Sequence, residues 1–119
     1  MNLYRWTELT TETLNPLVAR QVIHTGNMTL ARLSLKSGAV VPRHHHTNEQ
    51  VTNVESGVLR FEFDDREVLV ESGQSLEIPP DVPHAVTALE DSVALDVFTP
   101  ARQDWIRGDD AYLRGTKSS

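Results

Sequence analysis

Three of the five histidines in this 119-residue chain are consecutive, and they are the residues best suited to metal chemistry. Successive side chains of a strand point to opposite faces, so His44 and His46 share one face while His45 points away. Two imidazoles at this spacing can bind one ion, and imidazole suits Mn, Fe, Co, Ni, Cu and Zn alike. The sequence therefore predicts a site for a divalent transition metal and leaves the identity of that metal open.

A further ligand is expected shortly after the histidines. If the strand stays regular through Thr47, Gln50 lies on the face of His44 and His46, and Glu49 lies on the opposite face. A β-bulge between the histidines and Gln50 would reverse this assignment and make Glu49 the ligand. The regular pattern favours the amide oxygen of Gln50.

A second group of residues with chemical potential lies near the end of the chain. Asp96 interrupts an apolar run at residues 93–98, where an unpaired carboxylate would cost several kcal/mol or become protonated. Phe98 shares its face, and Arg102 follows after Pro100. Arg102 can pair with Asp96 or bind the carboxylate of a substrate in a bidentate contact. The spacing favours equally a structural Asp96–Arg102 pair that fixes the C-terminal segment and a catalytic role.

The elements that must position these residues are short and typical of an all-β domain. Period-two patterns separated by Gly, Pro, Asn and Asp predict strands, with no long amphipathic helix between them. This favours a sandwich, barrel or jelly roll. A short helical turn is expected between Pro100 and Gly108, and residues 115–119 are expected to fray. The predicted strands include residues 21–24, 28–35, 59–63, 68–70, 75–78 and 93–98.

Length and charge restrict the classes of partner. We expect residues 1–119 to form one domain, because the chain has the size of one. Eleven Lys and Arg against 17 Asp and Glu give a net charge of -6, which repels nucleic acids and anionic membranes. The chain has no Cys, which excludes disulfides and thiolate ligands. It also has no apolar segment of signal-peptide or membrane-spanning length, so we expect a cytoplasmic protein.

Two patterns around the histidines carry a family resemblance. Residues 38–57 fit G-x5-H-x-H-x3-[E/Q]-x6-G at every fixed position. After a spacer, residues 73–88 are similar to G-x5-P-x-G-x2-H followed by Asn. In this order they resemble the two motifs of the cupin family. The resemblance implies a cupin-type double-stranded β-helix, a jelly-roll barrel, that holds one divalent metal (Mn, Ni, Fe or Zn) through His44, His46, Gln50 and His84.

The chain departs from the family pattern at three positions. Asp81 replaces a common Gly, but Asp also tolerates the left-handed conformation. Ala88 replaces a common Asn that is not a metal ligand. Gln50 stands where the family usually has Glu, so three neutral imidazoles and a neutral amide would leave the charge of the ion uncompensated. We expect this to make the ion a stronger Lewis acid and a better binder of anionic substrates.

The run from Asp96 to Trp105 reads D-x-F-x-P-x-R-x-D-W. It resembles the tail of small cupins of pectin and alginate degradation that linearise unsaturated uronates. The resemblance implies ring opening of a 4,5-unsaturated monouronate to a 5-keto-4-deoxyuronate beside the metal. We expect Asp96 to act as the acid/base, Arg102 to anchor or polarise the substrate, and Phe98 to pack on the sugar ring. Trp105 most simply anchors the C-terminal segment.

Two other functions remain open at this point: a cupin dioxygenase or lyase that acts on another small anion, and a non-catalytic sugar-binding cupin. A sensor with a DNA-binding helical domain is disfavoured because the acidic chain has no room for one. We also expect a homodimer, since Val51 and some apolar residues among the first sixteen would be exposed on an isolated barrel. His24 is interpreted as a partly exposed polar residue outside the site.

Overall fold

The computed structural model describes residues 1–114; residues 115–119, where the sequence predicts fraying, lie outside this range. Ten antiparallel strands dominate the fold, with short helices near the C-terminus of the described chain. The strands are β1 (Glu12–Asn15), β2 (Val18–His24), β3 (Thr29–Leu35), β4 (Val40–His44), β5 (Glu49–Ser56), β6 (Val58–Glu62), β7 (Glu67–Glu71), β8 (Ser75–Ile78), β9 (His84–Ala88) and β10 (Ser92–Thr99). A 3-10 turn spans Trp6–Glu8, and the helices are α1 (Gln103–Ile106) and α2 (Ala111–Arg114).

The strands form two sheets that enclose one core. The six-stranded sheet has the order β1-β2-β3-β10-β5-β8, and the four-stranded sheet has the order β4-β9-β6-β7. This arrangement confirms the predicted all-β jelly roll. The hairpin of β2 and β3, the turn between β6 and β7, and the end of β8 before Pro79 also lie where the sequence predicts them.

Period-two alternation determines which residues of β10 face the interior. Ala94, Asp96 and Phe98 are buried, whereas Leu95 and Val97 between them are half-buried on the outer face. β10 lies in the middle of its sheet, between β3 and β5, so its inward side chains reach the centre of the barrel. Asp96 therefore lies inside the barrel, as its sequence parity predicts.

Gly57 makes the tight connection from β5 to β6 possible. Its φ of +84° lies in the left-handed region, and a Cβ there would lie 2.4 Å from the carbonyl oxygen of Asp91. Only glycine fits such a position without strain. This turn sets the start of β6, which pairs with β9 from Leu59 opposite Ala88 to Glu62 opposite Ala85, the residue next to His84.

The C-terminal segment, residues 103–114, folds back over the barrel. The buried guanidinium of Arg20 pairs with buried Asp110, and the Asn15 amide donates a 2.9 Å hydrogen bond to the carbonyl of Leu113. Trp105 is buried, in agreement with its predicted anchoring role. The sequence predicts α1 but not α2, which is only one turn long.

The apolar residues that the sequence predicts to be exposed on an isolated barrel are exposed to different degrees. Met1, Leu3 and Tyr4 are exposed, while Val51 is half-buried on the outer face of the six-stranded sheet. No helix among residues 1–114 is long and apolar enough to span a membrane. The homodimer and the extent of the domain stay predictions.

Candidate metal centre and adjoining cavity

Three histidines converge at one end of the barrel. His44 ends β4, His84 begins β9, and the two are direct partners across these strands. His46 follows β4 in the loop to β5. One nitrogen from each of the three lies within 4.8 Å of those of the other two, and the His44 and His84 ring centroids are 4.4 Å apart. The fold thus brings His44 and His46 of the first motif together with His84 of the second motif.

Backbone carbonyls fix the same tautomer in all three rings. The Nδ1 atoms of His44 and His84 lie 2.8 Å from the carbonyls of Pro42 and Val82, and Nδ1 of His46 lies 3.0 Å from that of Asn48. A carbonyl only accepts, so each Nδ1 carries the proton and each Nε2 keeps its lone pair. The cluster therefore presents three Nε2 donors, the form in which imidazole binds a metal.

The histidines are also neutral at physiological pH. Burial lowers the pKa of His44 to about 3 and that of His46 to about 4, because charging these rings away from water is unfavourable. Burial lowers the pKa of His84 as well, and the nearby charge of Arg102 acts in the same direction. Protons therefore compete weakly for the three lone pairs.

The Gln50 amide lies beside this histidine cluster. Its Oε1 lies 3.0 Å from Nε2 of His46, and its Nε2 donates a 2.8 Å hydrogen bond to Thr52 Oγ1. With the His46 proton on Nδ1, the Gln50 oxygen and the His46 nitrogen face each other as two acceptors, an arrangement that a cation relieves. The residues present therefore fit a divalent transition metal held by three imidazoles and one amide oxygen.

The predicted path of the chain into this site needs a correction. A regular strand through Thr47 is wrong, because β4 ends at His44 and β5 begins at Glu49. The loop between them is held by a hydrogen bond from the Asp81 amide to the His46 carbonyl, and Asp81 has the left-handed φ of +62° that its place in the second motif requires. The loop does not change which of the two residues faces the interior, because Gln50 is buried and Glu49 is exposed.

The histidines open onto a cavity in the barrel that contains the second predicted group of residues. Asp96, Phe98 and Arg102 line this cavity together with His44, His84 and Gln50. Phe98 packs edge-on against His46, with ring centroids 5.6 Å apart. Both sequence-predicted groups thus share one space. Further lining residues include Thr52, Trp105, Tyr112 and Leu113.

Asp96 is a buried carboxylate, and one of its two oxygens lacks a hydrogen bond in the described part of the chain. Its Oδ1 has no hydrogen-bond partner among residues 1–114. Burial raises the pKa of Asp96 to about 6, although a hydrogen bond to Thr52 and the charge of Arg102 both lower it. A carboxyl group with this pKa can both take up and release a proton near neutral pH.

The structure does not form the Asp96–Arg102 pair that the sequence left open as an alternative to a catalytic role. Arg102 instead donates through Nε and Nη2 to both carboxylate oxygens of Asp104, at 3.0 and 2.8 Å. Asp104 lies in the first turn of α1 and is only partly buried, so ionising it costs less desolvation than ionising Asp96. The Arg102 guanidinium also packs on both Phe98 and Trp105, with its Cζ 4.6 and 4.2 Å from the two ring centroids.

Two residues of this cavity were not singled out in the sequence. Thr52 bridges Gln50 and Asp96. It has the parity of Gln50 in the same strand, which is the signal that identifies it. Tyr112 comes from α2 and lies on His44, with ring centroids 4.8 Å apart. No strand or helix pattern marks its position.

His24 and His45, which the sequence does not assign to the metal site, lie outside it. His45 and His24 are exposed. The His45 ring points away from the cluster, with its Nδ1 3.7 Å from a carboxylate oxygen of Asp81. His24 lies at the end of β2 and contacts Thr29 Oγ1 at 2.8 Å.

Comparison with known proteins gives consistent matches. The model of the cupin domain family matches residues 31–98. KdgF from Halomonas sp. is 25% identical, with a TM-score of 0.81 over 87% of this chain and 99% of that chain. An RmlC-like cupin from Shewanella frigidimarina is 23% identical, with a TM-score of 0.82 over 88% of this chain and 96% of that chain.

A more distant match is oxalate decarboxylase from Bacillus subtilis, an enzyme with Mn(II) centres. It is 19% identical, with a TM-score of 0.72 over 82% of this chain and 29% of that chain. At this identity the likeness extends to the fold alone. No curated protein sequence shows significant similarity to the chain.

Proposed function

This chain belongs to the cupin domain family, and from that premise we propose that it is a metal-dependent enzyme that opens the ring of a 4,5-unsaturated monouronate. The observation that carries the proposal is the position of Asp96. An unpartnered carboxylate oxygen lies in a cavity lined by His44 and His84, two of the three neutral imidazoles whose nitrogens converge. The tail pattern from Asp96 to Trp105, which resembles that of uronate-linearising cupins, supports the same substrate class.

His44, His46, His84 and Gln50 are the residues that would hold the ion. A divalent metal bound by neutral ligands supplies Lewis acidity toward the carboxylate and a neighbouring oxygen of the substrate. All four protein ligands are uncharged, so an anionic substrate is the partner that best balances the site.

The reaction is an isomerisation and needs no oxidant or reductant. Asp96 takes the proton of the anomeric hydroxyl, and the C1–O5 bond breaks as the C1 carbonyl forms. The electron pair that leaves on O5 becomes the C5 carbonyl when C4 accepts a proton, which Asp96 returns. A pKa of about 6 suits a carboxyl group that performs both transfers near neutral pH.

The neighbouring residues bind and orient the substrate. Arg102 supplies positive charge at the cavity wall, and no hydrogen bond occupies its Nη1 among residues 1–114. That nitrogen can donate to a substrate oxygen while Asp104 keeps the guanidinium in place. Phe98, which packs against His46 and under Arg102, offers an apolar surface to the sugar ring.

The test is an anaerobic time course with an unsaturated galacturonate monomer. Purified protein loaded with Mn, Ni or Zn should remove the ultraviolet band of the conjugated enol ether faster than the spontaneous reaction. Loss of the acceleration in His46→Ala would connect the reaction to the histidine site. Arg43→Ala is a matched control, since Arg43 pairs with Asp64 on the surface outside the cavity.

Other outcomes identify the competing functions. Oxygen consumption with another small acid, and no anaerobic turnover of the uronate, would identify a cupin dioxygenase. Saturable binding of a uronate without turnover would identify a sugar-binding cupin. Either result contradicts the ring-opening proposal.

A further inference from the structure

Tyr112 is a polar residue of the cavity wall to which the ring-opening proposal gives no role. It lies in α2, lines the same cavity as Asp96 and Arg102, and its ring lies on that of His44 at a centroid distance of 4.8 Å. A ligand beside His44 therefore meets Tyr112 on one side. What the Tyr112 hydroxyl can offer such a ligand depends on the hydrogen bonds it already makes.

The hydroxyl oxygen of Tyr112 accepts two hydrogen bonds. Arg102 Nη2 donates to it at 2.9 Å and Trp105 Nε1 donates to it at 3.2 Å. Guanidinium and indole groups have no acceptor, so Tyr112 is the acceptor in both bonds. The hydroxyl proton has no acceptor of its own among residues 1–114. The phenol is thus held as a donor whose proton is free, and the positive charge of Arg102 beside it makes it a stronger one.

The segment that carries Tyr112 is attached to the barrel differently from the rest of the cavity wall. The cavity encloses about 40 Å³, far less than the about 300–1000 Å³ of ordinary small-molecule sites. Strands line most of the cavity and are held by backbone ladders, whereas residues 103–114 are attached through side-chain contacts such as Arg20–Asp110 and Asn15–Leu113. Tyr112 therefore belongs to the part of the cavity wall that no backbone ladder holds in place.

We propose that Tyr112 is a specificity-determining residue that donates its hydroxyl proton in a hydrogen bond to the carboxylate of a sugar acid bound beside His44. The inference rests on the proposed function, because it takes a monouronate as the ligand. Tyr112 and Arg102 then form one recognition unit: Tyr112 contributes a directed donor, and Arg102 contributes charge. Recognition of the carboxylate distinguishes a uronate from a neutral sugar.

The test measures binding without turnover. Isothermal titration calorimetry of the metal-loaded protein with D-galacturonate, a saturated monouronate without the enol ether, gives Kd directly. Tyr112→Phe should raise Kd about 10-fold, the order expected for one hydrogen bond to a charged group. Metal content measured on the same samples should not change.

Asn15→Ala is the matched control. It removes the hydrogen bond to the Leu113 carbonyl and loosens the C-terminal segment without removing the phenol. If Tyr112 acts as a donor, Kd for D-galacturonate changes less than about twofold in Asn15→Ala. If both variants bind D-galacturonate equally weakly, the C-terminal segment contributes only by covering the ligand, and Tyr112 does not act as a donor. That result overturns the inference.

The inference and the proposed function can fail separately. If the wild type binds D-galacturonate and Tyr112→Phe binds it equally well, the role of Tyr112 is refuted while ring opening stands. A metal-loaded wild type that does not bind D-galacturonate also refutes the inference, and the ultraviolet assay then decides independently whether the unsaturated substrate reacts.

Discussion

The amide nitrogen of Gln50 donates a 2.8 Å hydrogen bond to the hydroxyl of Thr52, and this bond determines which end of the Gln50 amide faces the histidines. With Nε2 directed to Thr52, Oε1 points to Nε2 of His46 at 3.0 Å. Because its oxygen accepts from Gln50, Thr52 can donate its own proton to Asp96. One side chain thus orients both Gln50, the proposed fourth metal ligand, and the carboxyl group to which we assign the proton transfers.

The orienting role of Thr52 predicts a loss of metal affinity when its hydroxyl is removed. Thr52→Val keeps the shape of the side chain but frees the Gln50 amide to rotate. We expect divalent metal to bind about 10-fold more weakly, as is typical when a partner that orients a ligand is lost. Competition titration with a chromophoric chelator measures the change. Thr52→Ser should restore the affinity, and equal affinity in all three proteins would contradict the role of Thr52.

Replacing Gln50 by Glu tests the consequence of a neutral ligand set. Gln50→Glu adds a negative charge next to the ion, so metal affinity should increase by about 10-fold or more. The same charge reduces the Lewis acidity of the ion and repels an anionic substrate, so KM for the uronate should rise. Metal titration and steady-state kinetics on one preparation measure both effects. A variant with unchanged KM would show that ligand charge does not control binding of the anion.

The low histidine pKa values predict metal binding that resists acid. Free imidazole is half protonated near pH 6.5, but burial lowers the pKa of His44 to about 3 and of His46 to about 4. Affinity for Zn or Ni should therefore change little between pH 7.5 and about 5, then fall toward pH 4. Titrations in matched buffers across this range measure it. A tenfold loss already between pH 7 and 6 would show that the histidines titrate like exposed ones.

The raised pKa of Asp96 predicts that this residue destabilises the metal-free fold at neutral pH. Its pKa rises from 3.8 in an unfolded chain to about 6, so the folded state binds the proton more tightly. The stabilisation from that proton is fully present below pH 3.8 and is lost as the pH rises through about 6. Asp96→Asn should therefore raise Tm at pH 7.5 and have little effect near pH 4. Thermal denaturation with chelator present measures both values, and an equal Tm difference at the two pH values would contradict the assignment.

Regular spacing made much of the site predictable from the sequence. Two-residue alternation placed Asp96 and Phe98 inside the barrel, and the two cupin motifs connected His84 with the cluster at residues 44–46. The face of Gln50 was also predicted, although for a strand that the structure interrupts with a loop.

The contacts of the C-terminal segment could not be predicted in this way. Arg102 had two carboxylates within reach in the sequence, Asp96 and Asp104, and only the tertiary packing of its guanidinium on Phe98 and Trp105 selects Asp104. Tyr112 lies on a single helical turn, which is too short to carry a periodic pattern. Its place over His44 depends on long-range pairs such as Arg20 with Asp110.

The proposed ring opening depends on proton transfer by Asp96 beside a metal held by the histidine site. The most direct test compares wild type and Asp96→Asn, each with its metal content measured, in the anaerobic ultraviolet assay with an unsaturated galacturonate monomer. We expect about one metal per chain in both proteins, rapid loss of the enol-ether band in the wild type, and a rate lowered at least about 100-fold in the variant. Equal rates in the two proteins at equal metal content would contradict it.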